Sequence, residues 1–172
     1  MLLCVFFAAC SGDMDDIRRF ERQTLPDQEM HHARLTRSER GRLQMQLEAP
    51  LIRRYSQPSA ITEYPQGVDL CFYNEERQPK TFLHAGRAIT YDDRKIMRGS
   101  DSVMVIDYTN GDTVYLEDLV WRQNDDVIFS NHPVKAVNGG RITYGDGFSS
   151  DANMTNLHIA HQRGVIEFNE ED

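Results

Sequence analysis

The chain has 172 residues, 27 acidic against 19 basic side chains, a formal net charge of −8 and a hydrophobic fraction of 40%. This is the composition of one ordinary globular domain, large enough to bury a core without disulfides or a structural metal; it excludes collagen-like, coiled-coil and wholly disordered chains. The acidic balance argues against a protein whose affinity comes from neutralising phosphates. The densest basic stretch, Arg34 to Arg54, is interrupted by Glu39 and Glu48 and reads as a solvated strand face.

The opening run from Met1 to Cys10, MLLCVFFAAC, is the one strongly apolar stretch. It is shorter than the ~20 residues a bilayer-spanning helix needs and reads as the apolar part of a signal peptide. Phe7-Ala8-Ala9-Cys10, followed by the polar Ser11-Gly12-Asp13, resembles a bacterial lipobox with Cys10 as the lipidated residue, although the lipobox usually has Leu where Phe7 stands. With Cys4 in the signal and Cys10 acylated, Cys71 is left alone and reads as a small half-buried hydrophobe. Residues 11–29 are charged, contain Pro26 and lack periodicity, as expected of a tether.

From residue 30 the pattern is period two. Leu43, Met45, Leu47, Ala49 and Leu51 alternate with Gln44, Gln46, Glu48 and Pro50, which predicts a half-buried strand. Ser38-Glu39-Arg40-Gly41 supplies a turn before it, so 31–37 and the segment from Arg42 form a hairpin. Val68, Leu70 and Phe72 alternate after Tyr64-Pro65-Gln66-Gly67. Met104, Ile106 and Tyr108 alternate against Val103, Val105 and Asp107 before Asn110-Gly111-Asp112, and Val134 to Val137 precedes Asn138-Gly139-Gly140. Strand, turn and strand thus repeat, and no later segment offers helical spacing: the domain is nearly all β.

A weak internal repeat lays Thr113 to Trp121 over Leu83 to Tyr91 at an offset of 30, and Tyr144, Asp146 and Phe148 over Tyr115, Glu117 and Leu119 at an offset of 29. Such a repeat implies one unit stacked on itself into an elongated, folded-over sheet with an apolar inside and open edge strands. Candidates for the inner face are Leu47, Leu70, Val105, Leu119, Ile128, Val134 and Phe148. Parity assigns them to a face and leaves open whether that face lines a lipid groove or a dry core. Trp121 and Tyr91 fit either the rim of a groove or the closure of the two sheets.

Between Gly41 and Phe168 the sequence resembles the LptC family of periplasmic lipopolysaccharide-export proteins, which have an OstA-like jellyroll. The resemblance rests on Leu47-Glu-Ala-Pro50 with Tyr55, Glu63-Tyr-Pro-Gln-Gly-Val-Asp69, Leu83-His-Ala-Gly-Arg-Ala-Ile-Thr-Tyr91 and Met97-Arg98-Gly99 with Val103-Met104-Val105. It continues through Asn110-Gly111-Asp112-Thr113, Leu116 to Trp121, Val127 to Asn131 with Pro133-Val134, and Gly145-Asp146-Gly147-Phe148 with Asp151. Their shared order carries more weight than any one motif. The resemblance implies an elongated twisted antiparallel β-jellyroll of two facing sheets, in the periplasm of a Gram-negative bacterium. It implies a bridge component that receives lipopolysaccharide in an apolar groove from an inner-membrane ABC transporter (LptB, LptF and LptG-like) and passes it to an LptA-like jellyroll. Docking would use the C-terminal edge, with His158, Val165 and Phe168 as candidate contacts, and no cofactor or catalysis is implied. Many members have a transmembrane helix at the N-terminus; here a lipid on Cys10 would anchor the domain to the inner membrane.

Acyl chains crossing water would expose methylenes at ~0.8 kcal/mol each, so a carrier needs a continuous apolar lining, which two alternating sheets supply. Enzyme readings find little footing. His158-Ile-Ala-His161 and His31-His32 would point to opposite faces of a strand, short of the convergence a zinc site needs. Nucleophile-elbow, phosphate-loop and dinucleotide fingerprints are missing from the sequence. Asp92-Asp93, Asp125-Asp126 and Asp146 stand beside turns, where Asp accepts backbone hydrogen bonds. The competing reading is a lipid-anchored β-sandwich with a dry core that serves as a surface or structural module. The acidic Asp13-Met14-Asp15-Asp16 after Cys10, a possible outer-surface sorting signal, would favour it.

Overall fold

A computed structural model describes residues 25–152 and 154–167, so Cys10, most of the expected tether and Phe168 lie outside the described residues. The first strands are β1 (Gln28–Glu39), β2 (Arg42–Tyr55), β3 (Ile61–Tyr64), β4 (Val68–Tyr73), β5 (Pro79–Ala85) and β6 (Arg87–Tyr91). The long β7 (Ile96–Asp107) and β8 (Asp112–Arg122) follow, then β9 (Val127–Ser130), β10 (Val134–Asn138) and β11 (Arg141–Gly145). β12 (Gly147–Asp151), β13 (His158–Ala160) and β14 (Arg163–Glu167) close the described chain. The protein is all-β, a single antiparallel sheet of 14 strands folded on itself as a jellyroll. The expected hairpin at Arg40-Gly41 forms, with β1 starting at Gln28, two residues earlier than the expected domain boundary.

Pairing separates the sheet into two layers. Layer A runs from the second half of β1 through the first half of β2, β4, β5, the second half of β7, the first half of β8, β10, β11 and β14. Layer B runs from the first half of β1 through the second half of β2, β3, β6, the first half of β7, the second half of β8, β9, β12 and β13. The chain passes back and forth between the layers, in two ways. β1, β2, β7 and β8 cross without a break. The other passages are split at the fold line: β3/β4 at Pro65-Gln66-Gly67, β5/β6 at Gly86, β9/β10 at 131–133, β11/β12 at Asp146 and β13/β14 at 161–162.

The residues at the splits explain them. Pro65 and Pro133 cannot donate to a ladder and so mark strand ends. At Gly86 the backbone N–H donates to the Asp101 carbonyl at 2.6 Å, and any Cβ there would lie 2.5 Å from that same oxygen. Gly145 is equally confined, since a Cβ would run into Ile159 Cγ2 and come within 2.7 Å of the Ala160 carbonyl. β7 turns the corner by a bulge in which Asp101 and Ser102 both take positive φ, 61° and 58°.

The internal repeat is real, with one correction. Along layer A, Val114, Ala136 and Thr143 stand in one cross-strand row, which confirms the offset of 29 between β8 and β11. Leu83, Val105 and Val114 form a row, as do Thr90, Met97 and Trp121, so β5/β6 relates to β8 by 31 residues where 30 was expected. Matching the aromatic Tyr91 to Trp121 causes the slip. Tyr91 is half-buried on the outer face beneath the Arg94 guanidinium, at 5.8 Å, while Trp121 points inside, and a shift by one reverses every face.

Candidate functional site

The inside of the fold is one apolar strip shared by both layers. In layer A the row through β1, β2, β4, β5, β7, β8, β10 and β11 reads Leu35, Leu47, Leu70, Leu83, Val105, Val114, Ala136 and Thr143. It spans seven strand spacings, roughly 33 Å. Every member from Leu47 to Ala136 is buried, while Leu35 on the first edge is 38% exposed. Layer B turns a different row inward: Thr62, Thr90, Met97, Trp121, Ile128 and Ser150, all buried. Beside it runs a row of Tyr64, Ala88, Gly99 and Leu119.

All seven inner-face candidates lie in this interior. Leu47, Leu70, Val105 and Val134 come from layer A and Leu119, Ile128 and Phe148 from layer B, and all belong to one core cluster. The layers meet where Phe72 sets its ring edge against Trp121, with centroids 5.5 Å apart and planes at 81°. Trp121 therefore closes the sheets from inside. Next to this contact Leu70, Leu83, Ala85, Met97, Gly99, Leu119 and Trp121 enclose a cavity of about 10 Å³. The strip is thus packed nearly shut.

The interior is incompletely satisfied in its polar groups. Trp121 Nε1, Ser150 Oγ and Thr81 Oγ1 are buried without a hydrogen-bond partner among the described residues. The other inward hydroxyls differ: Thr62 Oγ1 donates to Asp92 at 2.9 Å, and Tyr64 bonds Thr90, against the dominant effect of burial, which raises the Tyr64 phenol above its ordinary pKa. Sequence reasoning passed over Thr81 and Ser150. Their signal was parity, because Thr81 shares a face with Leu83 and Ser150 with Phe148.

Near the fold line of layer B, Asp118 Oδ1 receives hydrogen bonds from the buried Ser130 Oγ at 2.7 Å and from His132 Nδ1 at 2.6 Å. Burial by itself would raise the Asp118 carboxyl, but the bonds from His132 and Ser130 outweigh it and hold the group below its ordinary value. His132 responds in the opposite sense, raised by its hydrogen bond to Asp118 and then by that carboxylate's charge. The serine hydroxyl is committed to the carboxylate, so this is a structural clasp between β8 and the β9/β10 split. A neighbouring open cleft of about 490 Å³ is bordered by Tyr64, Arg87, Ile89, Arg98 and Asp118.

The sheet ends in strands with one unpaired edge. At one end β1 pairs β2 alone; at the other, β13 pairs only β12 and β14 only β11 among the described residues. Of the candidate docking residues, exposed His158 opens β13 and Val165 sits in β14 opposite Thr143. The basic stretch is solvated, as expected, with Arg34 paired to Glu48 at 2.8 Å and Arg53 to Glu29 at 2.9 Å.

Cys71 is half-buried and free on the outer face of β4. His31 bonds Glu29 at 2.8 Å, and no cluster of three or more His, Cys, Asp or Glu side chains suited to a metal occurs among the described residues. Asp146 and Asp125, expected to accept backbone hydrogen bonds beside turns, instead pair with the guanidinium groups of Arg163 and Arg122. No protein-family model matches the chain, and no curated protein matches it.

Proposed function

We propose that this protein is a carrier segment for acylated lipid in the periplasm, handling lipopolysaccharide as the resemblance to the LptC family implies. The observation that supports this most is the buried aliphatic row from Leu47 to Ala136, which crosses β2 to β10 of a sheet whose terminal strands β1, β13 and β14 each have one edge unpaired among the described residues. A row across strands follows the long axis of the sheet, the direction in which lipid must travel, and free edges allow like strands of other jellyrolls to extend it. On this reading an inner-membrane export transporter supplies the lipid, the C-terminal edge passes it to the next jellyroll, Cys10 anchors the domain, and no bond is made or broken.

The interior is closed in this conformation, so lipid entry requires the layers to part. A photo-crosslinking amino acid at Leu119, whose side chain is interior, and separately at Val120, of opposite parity, tests this in cells. Lipopolysaccharide adducts at Leu119 alone, dependent on ATP hydrolysis by the transporter, are the expected result. Their absence from a folded, abundant protein would refute the carrier reading. It would leave the second one, a structural module with a permanently dry core, which draws its support from the Phe72–Trp121 closure.

A further inference from the structure

Three buried polar atoms without partners among the described residues lie along the interior. Trp121, Ser150 and Thr81 are 7%, 5% and 1% exposed. Trp121 and Ser150 share the inward row of layer B, with Ile128 between them. Thr81 faces them from layer A, as the cross-strand neighbour of Phe72, whose ring rests on Trp121. Leaving a polar group buried and unpaired costs about 1–3 kcal/mol, and three of them along an interior whose other buried hydroxyls include the bonded Thr62 and Ser130 call for a reason. A fixed water does not supply it at Trp121. The other side chains lining the adjoining cavity, Leu70, Leu83, Ala85, Met97 and Leu119, offer no polar group, whereas a buried water needs at least two polar partners.

We propose that these donors form a binding strip for the acyl carbonyls of the cargo, with Trp121 Nε1 as its principal hydrogen-bond donor; the proposal rests on the carrier reading and names the orientation of its ligand. The hydrocarbon lies against the aliphatic row of layer A, and the ester or amide carbonyls that join chains to headgroup face layer B. The chemistry selects this occupant. A carbonyl oxygen accepts, which the donor-only indole N–H requires and the two free hydroxyls can meet by donating, and it sits directly beside methylenes that need an apolar wall. Trp121 and Ser150 are two strand spacings apart, roughly 10 Å, so the strip serves several acyl linkages in one ligand or successive positions of a moving one.

The test uses the full chain and two single-chain amphiphiles below their micelle concentrations: myristoyl lysophosphatidylglycerol, which has an ester carbonyl, and its alkyl ether analogue, which lacks it. Binding is measured by calorimetry and by the emission of Trp121, the sole tryptophan. The wild-type chain is expected to prefer the ester by roughly five- to tenfold, the worth of one net hydrogen bond, and to show a long-wavelength shift of Trp121 emission with the ester alone. Trp121→Phe should abolish the preference, read by calorimetry as the ratio of its own two affinities, and Ser150→Ala should reduce that ratio by a smaller factor. Equal affinity of the wild type for the two probes, or an unchanged preference in both variants, overturns the carbonyl strip and leaves the carrier reading standing. A wild-type chain that binds neither probe overturns both.

Discussion

Layers A and B bury their inner faces against each other, yet they are built of different material. Layer A offers Leu47, Leu70, Leu83, Val105, Val114 and Ala136 in one row; layer B offers Thr62, Thr90, Met97, Trp121, Ile128 and Ser150. Aliphatic side chains gain free energy from burial in proportion to area and need nothing further. Inward hydroxyls and an indole gain only where they find partners, and in layer B Trp121 and Ser150 find none. Cohesion of the fold is therefore concentrated in layer A, and layer B is the wall that would give up less if the layers were parted.

The largest expected effect falls on layer A. Leu70, 1% exposed and in contact with the interior cavity, should cost about 2–5 kcal/mol on truncation to Ala, measured as a shift of the urea unfolding midpoint at constant slope. A loss under about 1 kcal/mol would mean that the row is not closely packed and would break the contrast between layers.

A sharper test compares two threonines of similar burial. Thr62→Val removes a hydroxyl that bonds Asp92 and should destabilise by about 1 kcal/mol, whereas Thr81→Val removes an unpartnered hydroxyl and should be neutral or stabilising by up to about 1 kcal/mol. Equal losses in chemical unfolding would show that Thr81 is satisfied after all.

The smallest effect concerns the Asp118–Ser130–His132 clasp near the fold line of layer B. Because folding raises the His132 pKa, its stabilisation is complete below the unfolded value near 6.5 and is lost as pH rises through the folded one. Asp118, lowered from 3.8, contributes above that value and loses its contribution as pH falls through its folded pKa. The clasp is strongest between about pH 4 and 6.5. His132→Gln should remove that part of the thermal stability and flatten the decline between pH 6 and 8, read as the melting temperature of variant against wild type across that range. An unchanged slope would dissociate His132 from the clasp.

Much of this architecture is legible in the chain itself. Period-two patterning with Arg40-Gly41, Asn110-Gly111 and Gly139-Gly140 turns locates the strands, because alternation and positive-φ residues are local demands. The inner parity of Leu47, Leu70, Val105, Leu119, Ile128, Val134 and Phe148 is equally visible. Which layer each residue belongs to is not, since strands such as β7 change layer within one uninterrupted run, at a bulge made by Asp101 and Ser102 rather than by glycine. The unpartnered state of Trp121, Thr81 and Ser150 is hidden for a related reason: a hydrogen-bond partner is a property of three-dimensional neighbours, and cross-strand rows join residues far apart in sequence.

The way the chain passes between layers also sets where the molecule can bend. Beside one another, β7 and β8 stitch the two layers together at mid-length with unbroken backbone, and β1 and β2 do the same at the first end. Beyond β8 every passage is already interrupted, at 131–133, Asp146 and 161–162. Prising the layers apart there disturbs loops, whereas at β7 and β8 it would bend continuous strands. Among the described residues the molecule is like a booklet stapled at one end and at the centre, and parting its pages would disturb the least backbone beside β13 and β14.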